Sequence, residues 1–419
     1  YNSMSSPTLI IGDGNWAVRS GSLLGYEYGE LSGQFAPIPI TGSRASIATY
    51  TDQSGLIVSA SSDVLRVDYS TGTGSLLVEP QRTNSLRNST MQGASASPST
   101  FPTNWVATTG GLTLTVVGVG IENGLPYVDV QFSGIATSTS TILRFESTTQ
   151  VVASNGQTWA SSFWIKEIAA PMPPSSYQNY IQERDSGGTF LTTGNQAITI
   201  SSTISRNIFT RTNTNASTAR INNAVGGALT IDNTYDFTIR IAAPQLELGT
   251  FGTTWIPTTN TTVTRITDSF NRSNIYTDGV ITSGGGTWLV ELLNNVVMLR
   301  DASDVGLFIG NSSNGVTGDC LIIRNNGSNT RIVINKRIAG TQTSIYTTTT
   351  DTVKIAIKWD GTTADIFANG TKVVSATAFA ATNMEFFRGL GADVTKYITQ
   401  NKLYNQPLSD AECISLTTL

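Results

Sequence analysis

The chain has 419 residues and a formal net charge of −4, from 25 Lys and Arg against 29 Asp and Glu; the length suits two or three domains, and the charge offers no basic field to nucleic acid or anionic lipid. Charged residues make up only 13%, about half the usual share, so Ser, Thr, Asn and Gly must cover the surface, a composition that suits β-sandwiches. Histidine is absent, which removes the usual base of Ser-His and Cys-His nucleophilic sites and the commonest nitrogen ligand of zinc.

No apolar run approaches the roughly 20 residues that span a bilayer. The opening Tyr1-Asn2-Ser3-Met4 lacks the charged and apolar regions of a signal peptide, so no membrane insertion is expected. Cys320 and Cys413 lie far apart without a Cys-x-x-Cys spacing. Two buried free thiols acting as small hydrophobes are expected, with a disulfide as the alternative. No cofactor is expected.

Residues 1–87 consist of short extended pieces broken by Gly and Pro, as in Phe35-Ala36-Pro37-Ile38-Pro39-Ile40-Thr41-Gly42. That is poor material for an independent core. The stretch is expected to be an N-terminal arm or attachment region, burying Leu23, Leu24, Phe35 and Ile38 on another chain or domain.

Residues 88–264 carry period-two strands. Val128, Val130 and Phe132 share one face while Tyr127, Asp129 and Gln131 share the other, the pattern of a half-buried strand. The same spacing puts Trp159, Phe163 and Ile165 inward and Trp164 and Lys166 outward, and Phe237, Ile239 and Ile241 alternate with Thr238 and Arg240. Short strands with turn residues between them predict an antiparallel sandwich, interrupted by the surface loop Pro171-Met172-Pro173-Pro174.

Residues 265–419 form a second strand-rich stretch. Trp288, Val290 and Leu292 alternate with Thr287, Leu289 and Glu291, and Ile355, Ile357 and Trp359 with Lys354, Ala356 and Lys358, so Trp288 and Trp359 are expected in the core. Asp360-Gly361 and Asn369-Gly370 flank Thr362 to Ala368 and predict two linked hairpins. The tail from Leu408 to Leu416 is the best helix candidate, capped by Ser409 or Asp410. The fold expected is therefore all-β: an extended arm over 1–87, a jelly roll over 88–264 and a second sandwich over 265–419.

Several of these segments are familiar. Ser43-Arg44-Ala45-Ser46-Ile47-Ala48-Thr49-Tyr50-Thr51, Ser54-Gly55-Leu56-Ile57 and Leu76-Leu77-Val78-Glu79-Pro80-Gln81-Arg82-Thr83-Asn84-Ser85-Leu86 resemble the repeated opening of many phage virion and tail-associated proteins. Ala242-Ala243-Pro244-Gln245-Leu246-Glu247-Leu248-Gly249, Trp255-Ile256-Pro257-Thr258 and Thr264-Arg265-Ile266-Thr267-Asp268 look like the closing strand and exit of a carbohydrate-binding-type jelly roll. Lys358-Trp359-Asp360-Gly361, Asn369-Gly370 and Tyr404-Asn405-Gln406-Pro407-Leu408-Ser409-Asp410 are similar to concanavalin-A-like, laminin-G-like sandwiches. The resemblance implies a component of the phage virion, a fibre, spike or collar of head or tail, often trimeric, that meets other virion proteins and host surface glycans.

Sugar binding needs an aromatic surface under a pyranose and amide, carboxylate or guanidinium groups at its hydroxyls. Trp164, Lys166, Tyr127, Asp129 and Arg240 lie opposite the expected core face, and Arg144, in Leu143-Arg144-Phe145, is a candidate to join them. The other reading of this face is a surface covered by a loop or a neighbouring subunit. Trp105 and Trp255 sit beside Pro or turn residues, and their roles are open. No catalytic residue is expected: glycoside hydrolysis needs two carboxylates facing one bond, and the local pairs Glu183 with Asp185 and Asp301 with Asp304 read as solvated loops. Laminin-G-like folds hold calcium through oxygen ligands, but no EF-hand-like loop occurs, and Asp360 is expected to serve its turn. Gly284-Gly285-Gly286 and Gly110-Gly111 read as turns, since neither fits a phosphate loop. The expectation is a non-enzymatic virion adhesin, with a tailspike-like glycan depolymerase or a secreted bacterial glycan-binding protein as alternatives. A depolymerase on a long β-helix would need a regular repeat that the sequence lacks.

Overall fold

The computed structural model describes residues 6–12, 17–19, 22–29, 34–292, 306–313, 317–325, 332–348, 354–381, 383–390 and 396–419. Among the described residues the regular structure is nearly all strand, with one short helix, and the described sheets pair antiparallel, so the all-β expectation holds. Two compact units form: residues 82–265, and residues 1–81 together with 266–419.

The unit of residues 82–265 is a sandwich of two sheets. One sheet runs in the order Thr113–Glu122, Leu125–Ile135, Thr234–Leu248, Thr158–Met172, Ser205–Thr212. The other runs Val106–Thr108, Ser140–Arg144, Arg220–Ala228, Ser176–Arg184, Phe190–Ile198, and Val151–Val152 also pairs with Arg220–Ala228. The alternation read from the sequence sets which side faces inward. Val128, Val130, Phe132, Phe163, Phe237 and Ile239 meet Leu143, Phe145, Ile181, Ile221 and Val225 in one core. Phe132 and Phe237 are register partners, and their rings stack at 4.7 Å. Burial of each such side chain is worth about 1.5–3 kcal/mol. Trp105 and Trp255 are buried, their indole N–H groups donating to Asn88 O at 3.3 Å and Ser89 Oγ at 3.1 Å.

Entry and exit of this unit are pinned together. Arg82–Asn84 pairs with Val263–Arg265. The buried Asn84 amide donates to Pro244 O and Ile256 O, and its Oδ1 accepts from Leu86 N and Leu246 N at 3.2 Å each.

The other unit corrects the expectation of an arm. Leu9–Gly12 and Ser75–Val78 both pair with Lys396–Tyr404, and Thr41–Ser43 pairs with Ser269–Ser273. The first 81 residues thus supply strands to both large sheets of a sandwich completed by residues 266–419. The reason is apolar content: Leu9, Ile11, Ile40, Leu76 and Val78 are too scattered for a core of their own, but they enter the core of Trp288, Val290, Ile309, Ile357 and Phe387. The side chains of Leu23, Leu24, Phe35 and Ile38 lie outside the described residues.

Within that unit, Lys354–Trp359, Thr363–Ala368 and Thr371–Ala378 form the two linked hairpins. Gly361, Asn369 and Gly370 hold the positive φ their turns require, and Asp360 Oδ1 accepts from Thr362 N at 2.9 Å and Thr363 N at 2.7 Å. The helix is Asp410–Thr417; Ser409 caps it in a reciprocal box with Glu412. Cys320 and Cys413 are buried and not joined in a disulfide, and they lie in separate apolar clusters. Trp288 and Trp359 lie in the core. No helix among the described residues is long and apolar enough to cross a membrane.

Candidate functional site

The outer faces of the 82–265 sandwich carry the candidate residues. On the five-stranded sheet, register sets Asp129 opposite Arg240 and Arg240 opposite Lys166, so the side chains of Asp129, Arg240 and Lys166 share one side. Arg240 grips Asp129 with two bonds, Nε to Oδ1 at 2.7 Å and Nη2 to Oδ2 at 2.8 Å, and reaches Glu122 Oε2 at 2.8 Å. Lys166 Nζ donates to Glu122 Oε1 at 2.7 Å. Asp129 holds the Arg240 pKa above its ordinary value by hydrogen bonding, against the effect of burial. Burial raises the Glu122 pKa, but Lys166 and Arg240 outweigh it and bring the carboxyl below its usual range.

The aromatic rings of this face are also engaged. The Arg240 guanidinium lies 3.4 Å from the Tyr127 ring centre, and the Arg206 guanidinium 4.6 Å from that of Trp164. Arg206 is tied down by Nη2 donating to Ser162 Oγ at 2.9 Å and Thr253 O at 2.6 Å. Five of the six expected residues, Trp164, Lys166, Tyr127, Asp129 and Arg240, therefore share this face. The four polar or aromatic groups of Lys166, Tyr127, Asp129 and Arg240 bind one another and Glu122.

Arg144 does not join them. It stands on the other sheet, because Leu143 and Phe145 point into the core and strand alternation turns Arg144 outward on that side. Pairing register places Arg144, Ala224, Tyr180 and Asn195 in one row across the sheet, with Ile142, Gly226, Gln178 and Ala197 in the next and Asn222, Gln182 and Thr193 on the far side. The middle strand contributes only Ala224 and Gly226 to the first two rows. Longer side chains flank it, Arg144 and Ile142 on one side and Tyr180 and Gln178 on the other. A side chain at Gly226 would put its Cβ 1.9 Å from Thr141 O, so the strand requires glycine there.

A polar network spreads from Gln182. Its Oε1 accepts from Arg144 Nε at 2.8 Å, Arg184 Nη2 at 3.0 Å and Asn222 Nδ2 at 3.2 Å. Arg144 Nη1 also donates to Thr108 Oγ1 at 2.8 Å, Arg184 Nε to Asn222 Oδ1 at 2.5 Å, and Asn195 Nδ2 to Gln178 Oε1 at 2.8 Å. Tyr180 packs with Ile142 and Ala224 in a small apolar cluster outside the main core. The arrangement fixes guanidinium and amide groups and one aromatic ring on a rigid sheet. Sequence reading missed Tyr180, Gln182, Arg184 and Asn222, although Gln178, Tyr180, Gln182 and Arg184 recur every second residue, the signature of one strand face.

The local acids do not face one another across a cleft. Glu183 points to the inner side, fully buried, where Arg211 Nη2 at 2.7 Å, Thr218 Oγ1 at 2.6 Å and the backbone N–H groups of Thr214 and Asn215 saturate it. Burial pushes its pKa up, but these bonds prevail and lower it. Asp185 Oδ1 closes its own exposed turn through Gly187 N and Thr189 N. Asp301 and Asp304 lie outside the described residues.

No protein-family model matches the chain, and no curated protein matches it in sequence. Among solved structures, it is similar to the enzymatically active domain of tailspike protein 4 of bacteriophage CBA120, at 15% identity and a TM-score of 0.29, over 39% of this chain and 21% of that one. It is also similar to the CBM22-1 xylan-binding domain of Xyn10C from Paenibacillus barcinonensis, at 16% identity and a TM-score of 0.26, over 40% of this chain and 92% of that one. A third is the BppUct-A-L tripod from the baseplate of bacteriophage Tuc2009, at 10% identity and a TM-score of 0.25, over 66% and 96%. The chain thus spans about a fifth of the tailspike domain.

Proposed function

We propose that the chain is a non-enzymatic glycan-binding component of a phage particle, and that it binds sugar on the outer face of the six-stranded sheet. The observation that carries this reading is the row of Arg144, Ala224 and Tyr180 with the Gln182 network beside it. Pyranose recognition asks for directional donors fixed beside an aromatic ring, and hydrogen bonding within the network holds these donors in place before a ligand arrives. The five-stranded face suits that role less well, because its charges are already paired with one another.

Placement on a virion, with other virion proteins as partners and a trimeric assembly, rests on the resemblance of residues 43–57 and 76–86 to the opening of phage tail-associated proteins. Several copies on one particle would make weak single sites effective. Two measurements on the full chain test the reading: a glycan array, and a reducing-end assay on whichever glycan binds. Binding without release of reducing ends is the expected result. Release of reducing ends would favour a depolymerase instead, and an array without any bound glycan would remove the adhesin reading altogether.

A further inference from the structure

We infer that the ligand of the six-stranded face is an acidic glycan, whose carboxylate or other oxyanion substituent seats against Arg144 and Arg184. This rests on the glycan-binding reading above and narrows its ligand class.

The first ground is a charge imbalance on this face. Arg144, Arg184 and Arg220 all lie on it, Arg184 and Arg220 directly opposite in register, and none of the three forms an ion pair with any described residue. Three other arginines of the unit do have carboxylate partners: Arg87 has Glu146, Arg211 has Glu183, and Arg240 has Asp129 and Glu122. The carboxylates nearest in sequence are engaged. Glu146 is held by Arg87 through Nε at 3.1 Å and Nη2 at 2.7 Å, Asp185 by its turn, and Glu183 on the inner side by Arg211.

The second ground is geometry. Arg144 and Arg184 converge on a single acceptor, Gln182 Oε1, at 2.8 and 3.0 Å. Two like charges brought to one amide oxygen repel, and both side chains are mostly removed from water. Burial, and then the charge of Arg184, bring the Arg144 pKa down to about 10. An oxyanion between or beside the two guanidinium groups would relieve both penalties and accept charge-assisted hydrogen bonds, which are roughly twice as strong as neutral ones. Donor capacity remains for it, since Arg144 bonds through Nε and Nη1 and its Nη2 bonds no described group. Within the network, the Gln182 acceptor already takes three donors, so the groups left for a ligand are chiefly donors.

The test uses the full chain and immobilised oligosaccharides in matched pairs: uronic-acid glycans with their carboxyl-reduced forms, and sulfated glycans with their desulfated forms. The acidic member of a pair should bind at least about tenfold more tightly, the effect of one charged hydrogen bond, and the advantage should shrink as salt is raised. Arg144→Gln and Arg184→Gln should each bring the acidic member close to the neutral one. Because the paired glycans probe the unaltered protein, a variant that misfolds does not blunt the test. Preference within the uronate pairs identifies a carboxylate, within the sulfated pairs a sulfate ester. Equal binding of both members of every bound pair overturns the acidic assignment while leaving glycan binding standing. If no member of any pair binds, both fall.

Discussion

Arg44 Nη1 lies 2.8 Å from Asp268 Oδ1, a buried ion pair between residues 224 positions apart in the chain. The other oxygen of Asp268 is bonded by Arg66 and by Glu79 N at 2.9 Å, while Arg66 Nη1 also reaches Glu79 Oε2 at 2.9 Å. One carboxylate thus ties three segments of the first 81 residues to the strand-bearing segment that begins at Ile266. Burial works against the Arg66 charge, but Asp268 and Glu79 outweigh it and its pKa stands above the ordinary value. Breaking such a cluster from one side leaves a cation buried without its counter-charge.

Asp268→Asn should therefore destabilise the unit by about 3–5 kcal/mol, the usual cost of removing one member of a buried pair. A lowered urea midpoint for that unit's transition checks this. A loss below about 1 kcal/mol would show that water or a rearranged Glu79 replaces Asp268.

Glu183 sets an acid limit for the other unit. Its folded-state pKa is depressed by the bonds from Thr218, Asn215, Arg211 and Thr214, which overcome burial. The stability it contributes is fully present above the unfolded carboxyl value of about 4.3 and is lost as pH falls through the lower folded-state value. The denaturant midpoint should hold from pH 7 to about 5 and decline below about 4, and Glu183→Gln should flatten that acid limb while lowering stability at pH 7. An unchanged acid limb in the variant would contradict the assignment.

The two thiols should be silent in the folded protein. Burial pushes Cys320 up to about 11 and Cys413 up to about 12, so neither provides thiolate near neutral pH. An aromatic disulfide reagent at pH 8 should find no reactive thiol in the native chain and two after unfolding. Rapid native reaction would contradict their burial, and no reaction after unfolding would reveal a disulfide.

The sequence made the sandwich strands legible where one face is buried. Val128, Val130 and Phe132, and Phe237, Ile239 and Ile241, alternate because water lies on only one side of their sheet, and each is found in the core. The first 81 residues were not legible, since Leu9 and Ile11 find their partner strand at Lys396–Tyr404, almost the whole chain away. No local pattern carries such a pairing. The outward set Tyr127, Asp129, Lys166 and Arg240 was readable strand by strand, but their mutual neutralisation required the register between strands and the presence of Glu122. Arg144, a candidate for that face, stands on the other sheet, and the sequence does not show this for the same reason: alternation says which way a side chain points, not which sheet its strand joins. Gln182, Arg184 and Asn222 come from two strands separated by more than thirty residues, so only the fold unites them.

The central claim is that sugar binds the six-stranded face, and a comparison of two aromatic side chains on opposite faces tests it most directly. Glycan affinity would be measured for the wild-type chain, Tyr180→Ala, Tyr180→Phe and Trp164→Ala, each first shown to be folded at the assay temperature by circular dichroism. Tyr180→Ala should weaken binding by about two- to tenfold, the roughly 0.5–1.5 kcal/mol that an aromatic contact is worth, with Tyr180→Phe intermediate or near wild type. Trp164→Ala should leave affinity unchanged and cost only the modest cation–π contact with Arg206. The opposite pattern, affinity lost with Trp164 and kept without Tyr180, would place the site on the five-stranded sheet and contradict the account.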